Sequence, residues 1–249
     1  MYKTIKALVL REVKYRDADK ILTVLTERGG KLTVKARGAL RKGCKFAAAA
    51  QALCFSEMTL FGNAGRWSLN EAETIEQFLP LRDDLGRLAL GSYFAELLEA
   101  VSDADSPESG LLQLGLNSLY ALSRSLCPDL QVKAAFELRL MCLSGFRPEL
   151  NTERGEGEGL LFSLSGGCVH CIGDPPEAAG VSLPLSRPVL QAMRYVVTAD
   201  PKKLFSFTLP DAELLLFAKV CEAYTATQLE RSFRALDYWK CVAPCAKDL

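Results

Sequence analysis

The segment Lys31-Leu32-Thr33-Val34-Lys35-Ala36-Arg37 alternates strictly between polar and apolar residues. Side chains on a strand point to opposite faces in turn, so Leu32, Val34 and Ala36 are expected to face inward and Lys31, Thr33, Lys35 and Arg37 outward. Upstream, the runs IKALVL and KILTVLT are rich in β-branched residues, with turn-formers at Asp17 to Asp19 and at Gly29-Gly30. Downstream, strand patterns recur at Leu53 to Phe61 and at Trp67 to Gln77, separated by Gly62-Asn63-Ala64-Gly65. Five strands are therefore expected before residue 78.

From Leu81 the period becomes helical. Leu81 to Ser102, Glu108 to Leu126 and Pro128 to Phe146 each carry apolar residues at three-and-four spacing. Asp105-Ser106-Pro107 opens the second and Pro128 the third, which Gly145 and Pro148 stop. A polar, glycine-rich stretch, Asn151 to Gly159, precedes a hairpin at Leu160 to Ile172 and a proline-containing loop at Asp174 to Pro188. Helices are expected at Pro188 to Thr198, Leu209 to Ala223 and Thr227 to Tyr238. Strands followed by helices define an α+β chain, divided at 1–79 and 80–249, with the hairpin region inserted at about 150–185.

The 249 residues hold 30 basic and 30 acidic side chains, but residues 1–45 carry 13 Lys and Arg against four acids, leaving 17 basic and 26 acidic for 46–249. Such asymmetry points to a polyanion-binding end and an acidic remainder with another use. No stretch approaches the ~18 apolar residues of a membrane span, and the opening residues lack a cleavable leader pattern, so a soluble cytoplasmic protein is expected. Nine cysteines, odd in number and mostly in apolar runs, read as reduced core residues rather than a disulfide framework.

The basic residues concentrate where they can act together. Lys31, Lys35 and Arg37 share one face, on which neighbouring side chains lie roughly 6.6 Å apart, close to the phosphate spacing of an extended single strand. The loop that follows adds Arg41, Lys42 and Lys45, with Gly38 and Gly43 permitting close backbone approach. The plainer alternative is a solvated, aggregation-blocking edge strand. Tyr15, Phe46, Phe61 and Trp67 could stack on bases, with Trp67 beside Arg66 preferred.

Catalytic patterns are not found. Gly38 to Gly43 continues as Cys44-Lys45, which misplaces the lysine of a phosphate-binding loop and omits its hydroxyl. Glutamates between Gly155, Gly157 and Gly159 repel phosphate. Asp17 and Asp19 read as turn-formers, and Asp83 and Asp84 as charges at a helix start. Cys168-Val-His170-Cys171 has the spacing of half a zinc site, but no second pair precedes it.

The chain resembles the RecO family of bacterial recombination mediators. The resemblance rests on Ala7-Leu-Val-Leu-Arg11, Tyr15-Arg-Asp-Ala-Asp19-Lys20-Ile-Leu-Thr23, Gly30-Lys31, Val34-Lys35-Ala36-Arg37-Gly38-Ala39, Ala72-Glu73, Leu81-Arg82-Asp83-Asp84-Leu85, Phe136-Glu137-Leu138-Arg139-Leu140 and Gly145. It implies an N-terminal OB-fold barrel and a C-terminal helical domain carrying a small zinc-ribbon-like hairpin, with no catalytic activity. It further implies binding of single- and double-stranded DNA, strand annealing, and action with RecR in loading RecA onto strands covered by single-strand binding protein (SSB). The cations matching the family are Lys35 and Arg37, with Arg41, Lys42 and Lys45 adjoining.

The cysteine pair expected just after Leu150 is replaced by Asn151-Thr-Glu-Arg-Gly-Glu-Gly, so only Cys168 and Cys171 of a four-ligand site remain and a metal-free hairpin is expected. The acidic SSB tail is expected on the helical domain, with Arg124, Lys133 and Arg139 as candidate contacts. A rival reading makes the chain a scaffold whose barrel binds an acidic protein surface.

Overall fold

Strands β1 (Tyr2–Tyr15), β2 (Asp19–Thr26), β3 (Gly30–Ala36), β4 (Phe55–Asn63) and β5 (Arg66–Glu76) close into a barrel in the order β1-β2-β3-β5-β4. The computed structural model describes residues 1–27, 30–63, 66–103, 110–151, 159–172 and 180–243. Gly29, Ala64, Gly65, the Asp105-Ser106-Pro107 helix start, residues 152–158 and residues 173–179 lie outside them. All barrel pairings are antiparallel except β3 with β5, which run parallel and pair only at Val34↔Trp67 and Lys35↔Ser68. This closed five-stranded arrangement is consistent with an OB-fold.

Alternation builds the barrel core. Ala7, Val9, Leu22, Val24, Leu32, Val34, Ala36, Met58, Leu60 and Leu69 are buried together. Ala7 to Leu10 are buried on both faces of β1, because Ala7 and Val9 enter the barrel while Leu8 meets helices packed outside it. These are α1 (Leu85–Val101) and α2 (Leu111–Ser123). A Cβ at Gly115 of α2 would stand 2.8 Å from Leu98 Cδ1 and 3.4 Å from Leu8 Cδ2, so β1, α1 and α2 approach one another at a glycine. Asp84 starts α1 by accepting the Arg87 N–H at 3.0 Å. Arg11 Nη2 meets Glu99 Oε1 of α1 at 2.8 Å.

These contacts place both helices in the barrel's own compact unit, Met1–Arg124; the second unit is Ser125–Leu249. The sequence division after residue 79 follows the change from strand to helix. The packing division falls two helices later.

The second unit contains α3 (Asp129–Leu143), β6 (Leu160–Ser163), β7 (Cys168–Cys171), β8 (Ser182–Leu185), α4 (Arg187–Thr198), α5 (Asp211–Leu229) and α6 (Arg234–Val242). The expected hairpin is a three-stranded sheet, ordered β7-β6-β8. Strand β8 holds Pro184, which an edge position tolerates because it needs no inward N–H. Helix α5 continues to Leu229 and breaks at Glu230, whose φ is +51°, before α6 begins. Among the described residues no helix is long and apolar enough to cross a membrane.

Helix α3 is buried nearly all round, even at Lys133 and Glu137. Lys133 Nζ lies 2.8 Å from Glu137 Oε1 and 2.8 Å from Glu222 Oε2 on α5, and Lys240 on α6 pairs with the other Glu222 oxygen. The ammonium also stands 5.8 Å from the Trp239 ring centroid. Burial pulls the Lys133 pKa down, but the two carboxylates outweigh it and raise the pKa. Burial likewise pushes Glu222 up, and Lys133 and Lys240 outweigh it to lower the pKa.

Candidate nucleic-acid interface

On β3, Leu32, Val34 and Ala36 are buried while Thr33 is exposed and Lys31 and Lys35 are partly so. The register thus turns the cations outward. It does not leave them all free. Lys31 Nζ donates to the Glu99 carbonyl at 2.7 Å. Lys35 Nζ lies 3.1 Å from Asp19 Oδ2 and 4.9 Å from the Tyr15 ring centroid. The expectation that the strand's cations act together on phosphates is therefore corrected for Lys31 and Lys35: β2–β3 pairing aligns Ile21 with Lys35, which brings Asp19 alongside.

Asp19 also accepts the Gly38 N–H at 2.8 Å, anchoring the start of the loop. That hydrogen bond, and then Lys35, hold the Asp19 carboxyl below its ordinary pKa. Asp19→Asn keeps an acceptor for Gly38 but releases Lys35. The variant is expected to bind single-stranded DNA more tightly, with a salt slope steeper by about 0.7; anisotropy titrations over a salt series measure it, and an unchanged slope would show that Lys35 adds no phosphate contact.

Beyond β3 the chain turns at Gly38 and Gly43, with φ of +70° and +80°, a conformation that suits glycine. Arg37, Arg41, Lys42 and Lys45 form one wall of a groove of about 760 Å³. All four are exposed. Among the described residues none of them is held in an ion pair. The other wall comes from β4 and β5 and carries Glu57, Thr59, Asn70, Glu71 and Glu73. Glu57 pairs directly with Glu73 across the strands, a like-charge juxtaposition that is unfavourable by itself. The groove is therefore cationic on the loop side and acidic on the sheet side.

The remaining candidates separate. Arg66 is exposed at the first residue of β5. Trp67, expected as the stacking aromatic, is half-buried and packs on the barrel core, with its indole Nε1 buried and without a hydrogen-bond partner among the described residues, and the Lys3 ammonium 6.0 Å from its ring. Its side chain has the inward parity of Val34, with which it pairs, and this corrects the preference for Trp67 as the ring that stacks on bases. Phe46 also packs on the core, whereas Phe61 is exposed. Tyr15 carries Lys35 on its ring and the Arg16 guanidinium 5.2 Å from its centroid.

The three expected partner contacts also diverge. Lys133 is fully buried in its ion pairs and offers no surface. Arg139 donates to the carbonyls of Val196, Val197 and Ala199 at 3.1, 2.8 and 3.0 Å, closing the C-terminus of α4. Only Arg124 remains exposed, at the end of α2, with its guanidinium 5.6 Å from the Tyr120 ring centroid.

Cys168 and Cys171 lie three residues apart on the extended strand β7, so alternation sends their thiols to opposite faces. Among the described residues no three His, Cys, Asp or Glu side chains are grouped to hold a metal. Asp19 and Asp84 each accept a backbone N–H, as a turn-former and a helix cap do.

A closed barrel with a one-sided cationic groove, followed by a helical unit, places the chain among α+β proteins built on an OB-like barrel. Residues 1–78 match the family model "Recombination protein O N terminal", and residues 82–237 match "Recombination protein O C terminal". The chain is 32% identical over 246 residues to the DNA repair protein RecO of Acetivibrio thermocellus, covering 96% of each. It is 30% identical over 241 residues to that of Symbiobacterium thermophilum, covering 94% of this chain and 95% of the relative. The chain belongs to the RecO family of DNA repair proteins.

Proposed function

We propose that the protein is a non-enzymatic DNA-binding mediator of recombinational repair. It binds single- and double-stranded DNA through the loop beside its barrel, anneals complementary strands and, with RecR, loads RecA onto SSB-coated single strands. The observation that carries this reading is the set of four exposed cations, Arg37, Arg41, Lys42 and Lys45, along one groove wall. Phosphate contacts of this kind capture DNA without regard to sequence. The acidic wall opposite supplies no such attraction, so the backbone follows the loop. The exposed Arg124 and Tyr120 are the remaining contact for the acidic SSB tail.

Four contacts at −0.7 each give a salt slope of about −2.8 for a single strand, or about a 50-fold loss of affinity between 50 and 200 mM salt. Fluorescence anisotropy with a labelled oligonucleotide measures this directly. No salt-dependent binding would overturn the reading in favour of a barrel that binds an acidic protein surface.

A further inference from the structure

The outer face of β1, β4 and β5 carries a feature that the cations do not explain. Tyr2 pairs with Phe61 across β1 and β4, and Phe61 pairs in turn with Ser68 on β5. Tyr2 is 63% exposed and Phe61 50%. Their ring centroids are 5.0 Å apart, with the planes inclined at 49°. Two large rings held together in water forgo the burial such side chains ordinarily gain.

Their position is informative. Burial alternates along β4, which places Phe61 on the same outward face as Thr59 and Glu57, both of which line the groove. Phe61 thus lies one same-face step, ~6.6 Å, beyond Thr59. The neighbouring row is polar: Thr4 and Thr59 pair there with their hydroxyls 3.3 Å apart, and Thr59 pairs with Glu71 on its other side. An apolar helix would need contiguous apolar surface in that row. A nucleotide needs a ring to stack on, with polar groups and cations beside it.

We infer that the Tyr2–Phe61 pair is a stacking site for an unpaired base of a single strand whose phosphates follow the loop cations. This rests on the DNA-binding reading above and adds what that reading lacks, a means of telling strand forms apart. Cations meet phosphates on single strands and duplexes alike. The exposed rings meet only bases that are not already stacked within a duplex.

The test uses the full chain with an oligo-dT carrying one 2-aminopurine, and a duplex of the same length. Binding to the wild type is expected to quench the 2-aminopurine. Phe61→Leu, which keeps an apolar side chain on the strand, is expected to weaken single-strand binding about tenfold and abolish the quenching, while duplex affinity stays within twofold. Phe61→Trp is expected to restore both signals. If Phe61→Leu binds and quenches like the wild type, or weakens both DNA forms equally, the stacking site is overturned while the groove reading stands. If the wild type binds neither form, both fall.

Discussion

Lys133→Met is expected to destabilise the helical unit by about 3–5 kcal/mol, because it removes the ammonium that balances the buried Glu137 carboxylate and leaves Glu222 with Lys240. Met matches the length of lysine, so lost packing contributes little. Urea unfolding followed by Trp239 fluorescence reports it, since this ring is 1% exposed and next to the substituted group. A Trp67→Phe background removes the chain's other tryptophan. The triple variant Lys133→Met/Glu137→Gln/Glu222→Gln should recover much of the loss, as it leaves none of these three charges buried. A Lys133→Met protein within about 1 kcal/mol of wild type would show that the ion pairs do not hold α3, α5 and α6 together.

The pH dependence follows from the signs. Lys133 has a raised pKa, so its contribution is full below the unfolded value of about 10.4 and is lost as pH rises through the folded value. Glu222 has a lowered pKa, so its contribution is full above about 4.3 and is lost as pH falls through the folded value. The network should therefore stabilise the unit fully between these limits.

The triple reversal Arg41→Glu/Lys42→Glu/Lys45→Glu is expected to flatten the single-strand salt slope from about −2.8 to about −0.7, leaving Arg37 alone. Affinity at 50 mM salt should fall by about 100-fold or more, for duplex and single strand alike, because phosphate contacts do not distinguish them. The three side chains are exposed, so the fold should be retained, with stability within about 0.5 kcal/mol per site. Circular dichroism checks this before the binding titration. Undiminished DNA binding in the folded variant would remove the loop from the interface.

Much of the barrel was legible because period-two alternation is a local signal. Lys31 to Arg37 shows its inward and outward faces within seven residues. Strand β8 has no clear sequence signal, because Pro184 argues against a strand until its edge position is known. In the sequence Lys133 has the signature of a surface residue, because a charged residue on a helix usually is one. Its partner Glu222 is 89 residues away, and only the packing of α5 on α3 joins them.

The site was legible in its charges but not in its neutralisation. Lys31 ends on the carbonyl of Glu99, and Lys35 on Asp19, through pairings that no local pattern announces. The acidic wall was hidden for the same reason, as Glu57, Glu71 and Glu73 face the loop only once β4 and β5 are folded against it. Tyr2 and Phe61 become neighbours through a register joining the first barrel strand to the fourth.

The two-residue seam between β3 and β5 has a further consequence. The segment that leaves β3 also fills the barrel: Ala39 and Ala50 lie in its core, and the backbone is pinned by Leu40 N–H to Ala18 O at 3.0 Å and Leu53 N–H to Val9 O at 2.8 Å. The stretch that presents the cations is thus also the stopper of the barrel. Its exposed side chains are free to change over evolutionary time, retuning affinity, while its length is not: a deletion between Gly38 and Leu53 would unplug the hydrophobic interior. Relatives adapted to different cellular salt levels should therefore differ here by substitution far more than by insertion or loss.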